Sequence, residues 1–140
     1  MIDFENRTKR NVDITPLRHI ATDLHIKSVE LVLTDDTEIK ELNKQYRNID
    51  KATDVLSFPF EPMPMSPLGS IVISIDAADR ISKAMGHTFN DELQLLFIHG
   101  LLHLMGYDHE TDNGEMRCEE VRLITQLGLP DSLIIRNEEN

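Results

Sequence analysis

Three of the six histidines of this 140-residue chain, His99, His103 and His109, lie close together in the sequence. On a helix, side chains at positions i and i+4 lie on the same face, so His99 and His103 should point the same way. Gly106 can adopt the left-handed conformation that ends a helix and reverses the chain, which could bring His109 back toward them. Three neutral imidazole nitrogens with a fourth position left open describe a catalytic zinc site. Nickel, copper or iron would also suit three imidazoles.

The same histidines have a plainer interpretation, as buried core residues that hydrogen-bond to their neighbours. Burying two imidazoles on an otherwise apolar helix is costly unless something satisfies their nitrogens, and this favours metal binding. The spacing H-x3-H-x5-H also occurs in the metzincin proteases, whose pattern is H-E-x-x-H-x-x-G-x-x-H. Here Gly100 replaces the glutamate that serves those proteases as general base. Proteolysis by that mechanism is therefore not expected.

The elements that must position these histidines are short strands and helices that alternate along the chain. The segment 93–105 is apolar almost all round, which predicts a buried central helix, capped at Asn90, that carries the metal site. The proline-rich stretch 59–67 is a predicted loop, whose Met63 and Met65 are either simply exposed or form a flexible lip over a cleft. Strands are predicted at residues 2–6, 29–33, 54–58 and 70–75. Three of the other helices are predicted at residues 16–25, 76–85 and about 113–127, and a fourth follows the helix-start signal at residues 34–36 and carries Ile39, Leu42 and Tyr46.

This alternation predicts an α/β (α+β) fold. We expect a single domain over residues 1–140, because two smaller pieces would have poor cores. Its sheet should be small, four-stranded, mixed and mostly parallel. About five helices should pack on it, with the metal site on the central helix.

The charge of the chain limits how it could meet nucleic acid. Its formal net charge is −11, from 14 Lys and Arg against 25 Asp and Glu, which argues against nonspecific coating of nucleic acid. An enzyme could still hold a few phosphates in one local cationic cleft. The basic residues that could form such a cleft are Lys44, Arg47, Lys51, Arg80 and Lys83.

Cysteine content and apolar runs indicate where the protein works. The single cysteine, Cys118, excludes an internal disulfide and a thiolate-rich metal site. The first residues lack the apolar region of a signal peptide, and no apolar run approaches the ~18 residues needed to span a bilayer. We therefore expect a soluble, cytoplasmic protein.

Four stretches of the sequence carry a more specific resemblance. They are LNKQYR at residues 42–47, ATDVLSFP at 52–59, LGSIVIS at 68–74 and HGLLHLMGYDH at 99–109. In these blocks, and in their order, the chain resembles the YbeY family of metallo-endoribonucleases. The similarity spans roughly residues 29–110. The histidine block is the most specific of the four.

The resemblance implies a single-strand-specific endoribonuclease acting in ribosomal RNA maturation, notably at the 3′ end of 16S rRNA, and in ribosome quality control. It implies one zinc ion on His99, His103 and His109, with nickel or another transition metal as an alternative, and a functionally important Arg47. Single-stranded RNA and the ribosome would be its partners, together with a ribosomal protein or a GTPase. Neither DNA nor a membrane is expected. Many relatives have aspartate where this chain has Ser70, so no catalytic carboxylate is assigned there.

These residues lead to a mechanistic hypothesis for phosphodiester hydrolysis. Zinc could activate water while Arg47 holds a phosphate through its planar guanidinium, in a cleft covered by the proline-rich loop. Asp54 and Asp108 could orient a metal-bound histidine or could be turn residues, and Arg47 could be a surface residue at a helix end. Two rivals stay open: a zinc-dependent hydrolase of peptides or other small substrates, and a non-catalytic ribosome assembly factor with a structural metal.

Overall fold

The computed structural model describes residues 1–130, so residues 131–140 of the predicted domain lie outside the described part of the chain. Four strands form one sheet: β1 (Ile2–Asn6), β2 (Val29–Thr34), β3 (Val55–Pro59) and β4 (Gly69–Ser74). Their order across the sheet is β1-β2-β4-β3. Strands β1, β2 and β4 are parallel, whereas β3 pairs antiparallel with β4. The predicted mixed, mostly parallel four-stranded sheet is confirmed.

The described residues also form the predicted five helices: α1 (Thr15–Asp23), α2 (Asp36–Arg47), α3 (Ile75–Met85), α4 (Phe89–Leu104) and α5 (Glu115–Leu127). Capping side chains fix where α2 and α3 begin. Asp35 accepts a hydrogen bond from the Glu38 amide, and Ser74 accepts one from the Ala77 amide. The sequence analysis placed Ile75 at the end of the strand. Because Ser74 caps α3, Ile75 is instead the first residue of that helix.

The start of the central helix α4 also differs from the prediction, because Thr88 is the cap and not Asn90. Thr88 keeps an extended backbone, and its hydroxyl accepts a hydrogen bond from the Asp91 amide at 3.0 Å. The Asp91 carboxylate accepts one from the Thr88 amide in return. This reciprocal capping box satisfies two amides at once. Asn90 already lies inside the helix and cannot take that role.

The two faces of the sheet carry cores of different size. Side chains alternate along a strand, so Ile71 of β4 faces a large core with α1, α3, α4 and α5, while Val72 faces a small cluster with Ile39 of α2. Helix α4 is the buried centre of the large core, as predicted, and each of its buried leucines contributes on the order of 1.5–3 kcal/mol. Within residues 1–130, no helix is long and apolar enough to cross a membrane.

Gly100 allows α4 to lie close against the sheet. A Cβ atom at this position would lie 3.0 Å from Cγ2 of Ile71 in β4, which is tighter than an ordinary van der Waals contact. A glutamate side chain at this position would require the Ile71 side chain to shift. The position that carries the general base in the metzincin pattern is therefore a packing position in this fold.

Candidate metal centre

The three predicted metal-ligating histidines meet at the C-terminal end of α4. His99 and His103 lie one turn apart, with ring centroids separated by 4.7 Å. After the C-cap Met105, Gly106 takes a positive φ of 101° and turns the chain back. The His109 ring then lies 5.6 Å from each of the other two rings. One nitrogen atom from each ring lies within 4.8 Å of the other two, so the cluster could hold a metal ion.

The hydrogen bonds of His99 and His103 fix which nitrogen of each ring faces the other. His103 Nδ1 donates to the Tyr107 carbonyl oxygen at 3.1 Å, and His99 Nδ1 donates to the Glu120 carboxylate at 3.3 Å. A neutral imidazole has one N–H, so these acceptors assign a lone pair to both Nε2 atoms. The two Nε2 atoms lie 3.2 Å apart. Facing lone pairs repel, and a cation bound to both removes that repulsion.

His109 has a buried ring nitrogen that lacks a hydrogen-bond partner among residues 1–130. Its Nδ1 is buried and makes no hydrogen bond with the residues that the structure describes. An unpaired buried nitrogen of this kind costs about 1–3 kcal/mol, so a partner bound to it would be stabilising. Burial and the neighbouring His99 lower the pKa of His103, which favours the neutral form that binds metals. The donor set therefore fits a transition metal that imidazole binds, zinc among them.

The histidines open onto a cleft of about 530 Å³ that also contains Arg47. One side, here called the histidine wall, consists of His99, His103 and residues 106–110. The other, the strand wall, consists of Arg47, residues 53–55, Ser57 and Pro59. Arg47 is the last residue of α2, and its Nη2 donates to the Ser57 carbonyl oxygen of β3 at 3.1 Å. The fold thus brings the predicted arginine and the predicted histidines into one cleft.

The structure does not gather the other basic residues around this cleft. Among residues 1–130, Arg47 is the one lysine or arginine in the lining. Arg80 and Lys83 on α3 instead form ion pairs with carboxylates, at 3.1 and 2.9 Å. The lining also carries three acidic side chains, Asp54, Asp108 and Glu110. A phosphate chain would therefore meet one local cation here and not a cationic surface.

Asp54 and Asp108 line the cleft, but their hydrogen bonds are those of turn residues. Asp54 Oδ1 accepts from the Val55 amide at 2.8 Å, at the entry to β3. Asp108 Oδ1 accepts from the Glu110 amide at 3.1 Å, within the turn after Gly106. Of the two interpretations that the sequence left open, these contacts favour the turn role for both residues.

The carboxylate that contacts His99 is that of Glu120 on α5, and sequence analysis missed it. The sequence did contain a signal. Met116, Glu120 and Leu123 are all buried and recur at helical spacing, so an acidic residue lies on the apolar face of α5. An acid at such a position requires a partner, and the search for one leads to His99.

The proline-rich loop lies beside the cleft and does not cover it. Within residues 1–130, Pro59 is the one residue of the stretch 59–67 that lines the cleft. Met63 and Met65 are exposed, by 68% and 102%, which agrees with simple loop exposure and not with a lip over the cleft. Ser70 pairs with neighbouring strands inside the sheet and is likewise outside the lining.

A cluster of three imidazoles in an open cleft, on an α/β scaffold, is the arrangement expected of a metal-dependent enzyme. Comparison with known proteins then identifies the family. The family model described as Endoribonuclease YbeY matches residues 3–128. The chain belongs to the endoribonuclease YbeY family, which confirms the predicted family and enzyme class, and the match extends beyond both ends of the region that the sequence blocks indicated.

Individual relatives agree with this family. Proteins named Endoribonuclease YbeY from Nautilia profundicola and Sulfurimonas denitrificans are 63% and 59% identical to the chain. Each alignment covers 99% of this chain, and covers 100% and 99% of the respective relatives. The solution structure of a Thermotoga maritima protein is similar with a TM-score of 0.62 and 32% identity, over 87% of this chain and 85% of that one. The named relatives therefore agree with the family model, and the solved structure agrees with the fold.

Proposed function

We propose that this chain is a single-strand-specific endoribonuclease, with one metal ion on His99, His103 and His109 and with Arg47 as a phosphate ligand. The observation that carries the proposal is that the three histidines and Arg47 share one open cleft. Zinc is the proposed metal, because three imidazoles and an open position are typical of catalytic zinc. Nickel or another transition metal is the alternative, because imidazole also suits those ions.

The residues of the cleft have separate parts in this proposal. The bound metal would supply a Lewis acid and activate water. The Tyr107 carbonyl and the Glu120 carboxylate orient His103 and His99, so that both Nε2 atoms face the cluster. Arg47 donates one N–H to the Ser57 carbonyl oxygen, and the other N–H groups of its guanidinium could bind a phosphate oxygen. Its charge would offset the negative charge that grows on the phosphoryl group during cleavage.

The proposed substrate is ribosomal RNA, notably near the 3′ end of 16S rRNA, with a role in ribosome quality control. Support comes from the sequence blocks and the family. One arginine among three acidic side chains gives the cleft few contacts for a polyanion, which supports weak affinity for RNA alone. We therefore propose that a ribosomal protein or a GTPase brings the enzyme to its substrate. The proposal places a single domain of residues 1–140 in the cytoplasm.

Two observations disfavour the rival functions. Peptide hydrolysis by the metzincin route needs a glutamate where this chain has Gly100, and a side chain there would crowd Ile71. A structural metal site is closed by four protein ligands. In residues 1–130, the group that could hold a metal consists of the three histidines, and it faces an open cleft.

The test is metal content and RNA cleavage of the purified full chain. We expect about one zinc per chain, as a single catalytic site requires. We also expect internal cuts in a single-stranded RNA and none in the same RNA annealed to its complement. A chelator should abolish cleavage, and added zinc should restore it. A folded chain that took up no metal, or that cut a peptide or ester but no RNA, would overturn the proposal.

A further inference from the structure

We propose that Glu120 is a positioning residue of the metal centre, which holds His99 in the tautomer and orientation that present Nε2 to the metal. The inference rests on the metal site proposed above. Glu120 Oε2 lies 3.3 Å from His99 Nδ1, and the two side chains are 1% and 12% exposed. Water therefore has little access to this contact, and the hydrogen bond is stronger than it would be if it were exposed to solvent.

Glu120 lies on α5, a helix that follows the histidine segment and packs on α4. Its neighbours on the buried face of α5 include Met116 and Leu123, which belong to the large core. A buried carboxylate in such surroundings is costly, and an apolar side chain would pack there more cheaply. The contact with His99 gives a functional reason for an acid at this position. Helix α5 then serves the site as well as the core.

The two ligand histidines of α4 obtain their orientation in different ways. His103 lies in the last turn of α4, and the Tyr107 carbonyl of the following turn accepts its Nδ1–H. His99 lies one turn earlier, and its acceptor is a side chain from another helix. A carboxylate in this position fixes the tautomer and also makes the imidazole a stronger donor to a metal. Substitution can therefore remove the support of His99 while the support of His103, a backbone atom, remains.

Helix α4 offers a matched control at its other end. His87 Nε2 lies 2.8 Å from Glu92 Oε1, and Glu92 is completely buried. This pair joins the same two residue types as His99–Glu120, at nearly the same burial, although through Nε2 of the histidine. It stands near the start of α4, about two turns of helix before the first ligand histidine. Loss of the Glu92 charge should disturb the fold as much as loss of the Glu120 charge, without touching a metal ligand.

The experiment is zinc affinity of the full chain, measured by competition with a chromogenic chelator. We expect Glu120→Gln and Glu120→Ala to bind zinc about 10–100-fold more weakly than wild type, and Glu92→Gln to bind as wild type does even if its melting temperature falls. Equal affinity in all four proteins, or an equal loss in Glu92→Gln, would overturn the inference alone. A wild type that bound no zinc would overturn the proposed function and this inference with it.

A second measurement needs no variant and so does not depend on the folding of one. Nitrogen NMR of the imidazoles in the metal-free wild type reports which ring nitrogen carries the proton. The expected tautomer of His99 has its proton on Nδ1, as its contact with Glu120 requires. A metal-free chain in which His99 carries the proton on Nε2 would show that Glu120 does not set the tautomer, and would overturn the inference.

Discussion

The two walls of the cleft are built in opposite ways. The histidine wall comes from one continuous stretch, the end of α4 and the turn that follows, and its imidazoles are partly buried. The strand wall joins the end of α2 to the edge strand β3, and Arg47 on it is exposed apart from its hydrogen bond to Ser57. One wall is organised by local chain geometry, and the other is assembled by the tertiary fold.

This difference separates metal binding from phosphate binding. Histidines that are partly buried, two of them hydrogen-bonded at Nδ1, would lose little side-chain entropy when a metal binds, so the histidine wall is preorganised. An exposed arginine keeps most of its rotamer freedom and can follow a flexible RNA strand. Substitutions on the histidine wall should therefore act through metal affinity. Those on the strand wall should act on RNA cleavage at unchanged metal content.

The largest effect is expected from His103→Ala on the histidine wall. The substitution removes one of three ligands, so zinc content should fall from about one per chain to almost none, and cleavage should be lost with it. Elemental analysis and a cleavage assay measure the two quantities. His19→Ala, which removes an exposed histidine of α1, is the control and should keep both. Full zinc content in His103→Ala would mean that the cluster is not the metal site.

On the strand wall, Arg47→Ala should lower the rate of RNA cleavage by about 10²–10³-fold while zinc content stays at the wild-type level. Loss of one preorganised donor to the developing charge has a cost of this size. Arg47→Lys should recover only part of the rate, because an ammonium cannot bind phosphate in the planar, two-pronged manner of a guanidinium. Lys44→Ala, one turn earlier on the exposed side of α2, is the matched control. If Arg47→Ala lost its zinc as well, the separation of the two walls would be wrong.

The walls also differ in what the sequence could predict. The histidine cluster could be predicted from spacing alone, because His99, His103 and His109 lie within eleven residues, with the turn residue Gly106 between the last two. No spacing pattern marked Arg47, and it was predicted from the family resemblance alone. Its hydrogen-bond partner Ser57 lies on β3, so their contact depends on how α2 packs against the sheet. The positions of the strands were predictable from local sequence patterns. The strand order β1-β2-β4-β3 was not, because it depends on pairings between distant segments. Glu120 was missed for the same reason, because its partner lies on another helix.

A smaller effect is expected when the turn of the histidine wall is strained. Gly106→Ala places a Cβ at φ 101°, where the side chain meets no atom within 4 Å but the backbone conformation disfavours it. The free energy of unfolding should fall by about 1–2 kcal/mol, and zinc should bind more weakly because the turn carries His109. Gly128→Ala, at φ 69° after α5, has the same kind of strain away from the cleft. Chemical denaturation with and without zinc compares them; equal zinc affinity in both variants would mean that the turn does not position His109.

The smallest effect concerns a hydrogen bond that joins the strand wall to α4, the helix that carries His99 and His103. Ser57 Oγ on β3 donates to the Gly100 carbonyl oxygen of α4 at 3.3 Å, and Ser57→Ala removes this link but keeps the backbone acceptor of Arg47. The free energy of unfolding should fall by about 1 kcal/mol or less, as for a single long neutral hydrogen bond. Ser82→Ala, which removes a buried hydroxyl that donates to a carbonyl within α3, is the control. Zinc affinity and cleavage rate should both stay near wild type in Ser57→Ala. A tenfold loss of both would show that the walls act as one unit through this bond, and that the fold couples metal binding to phosphate binding after all.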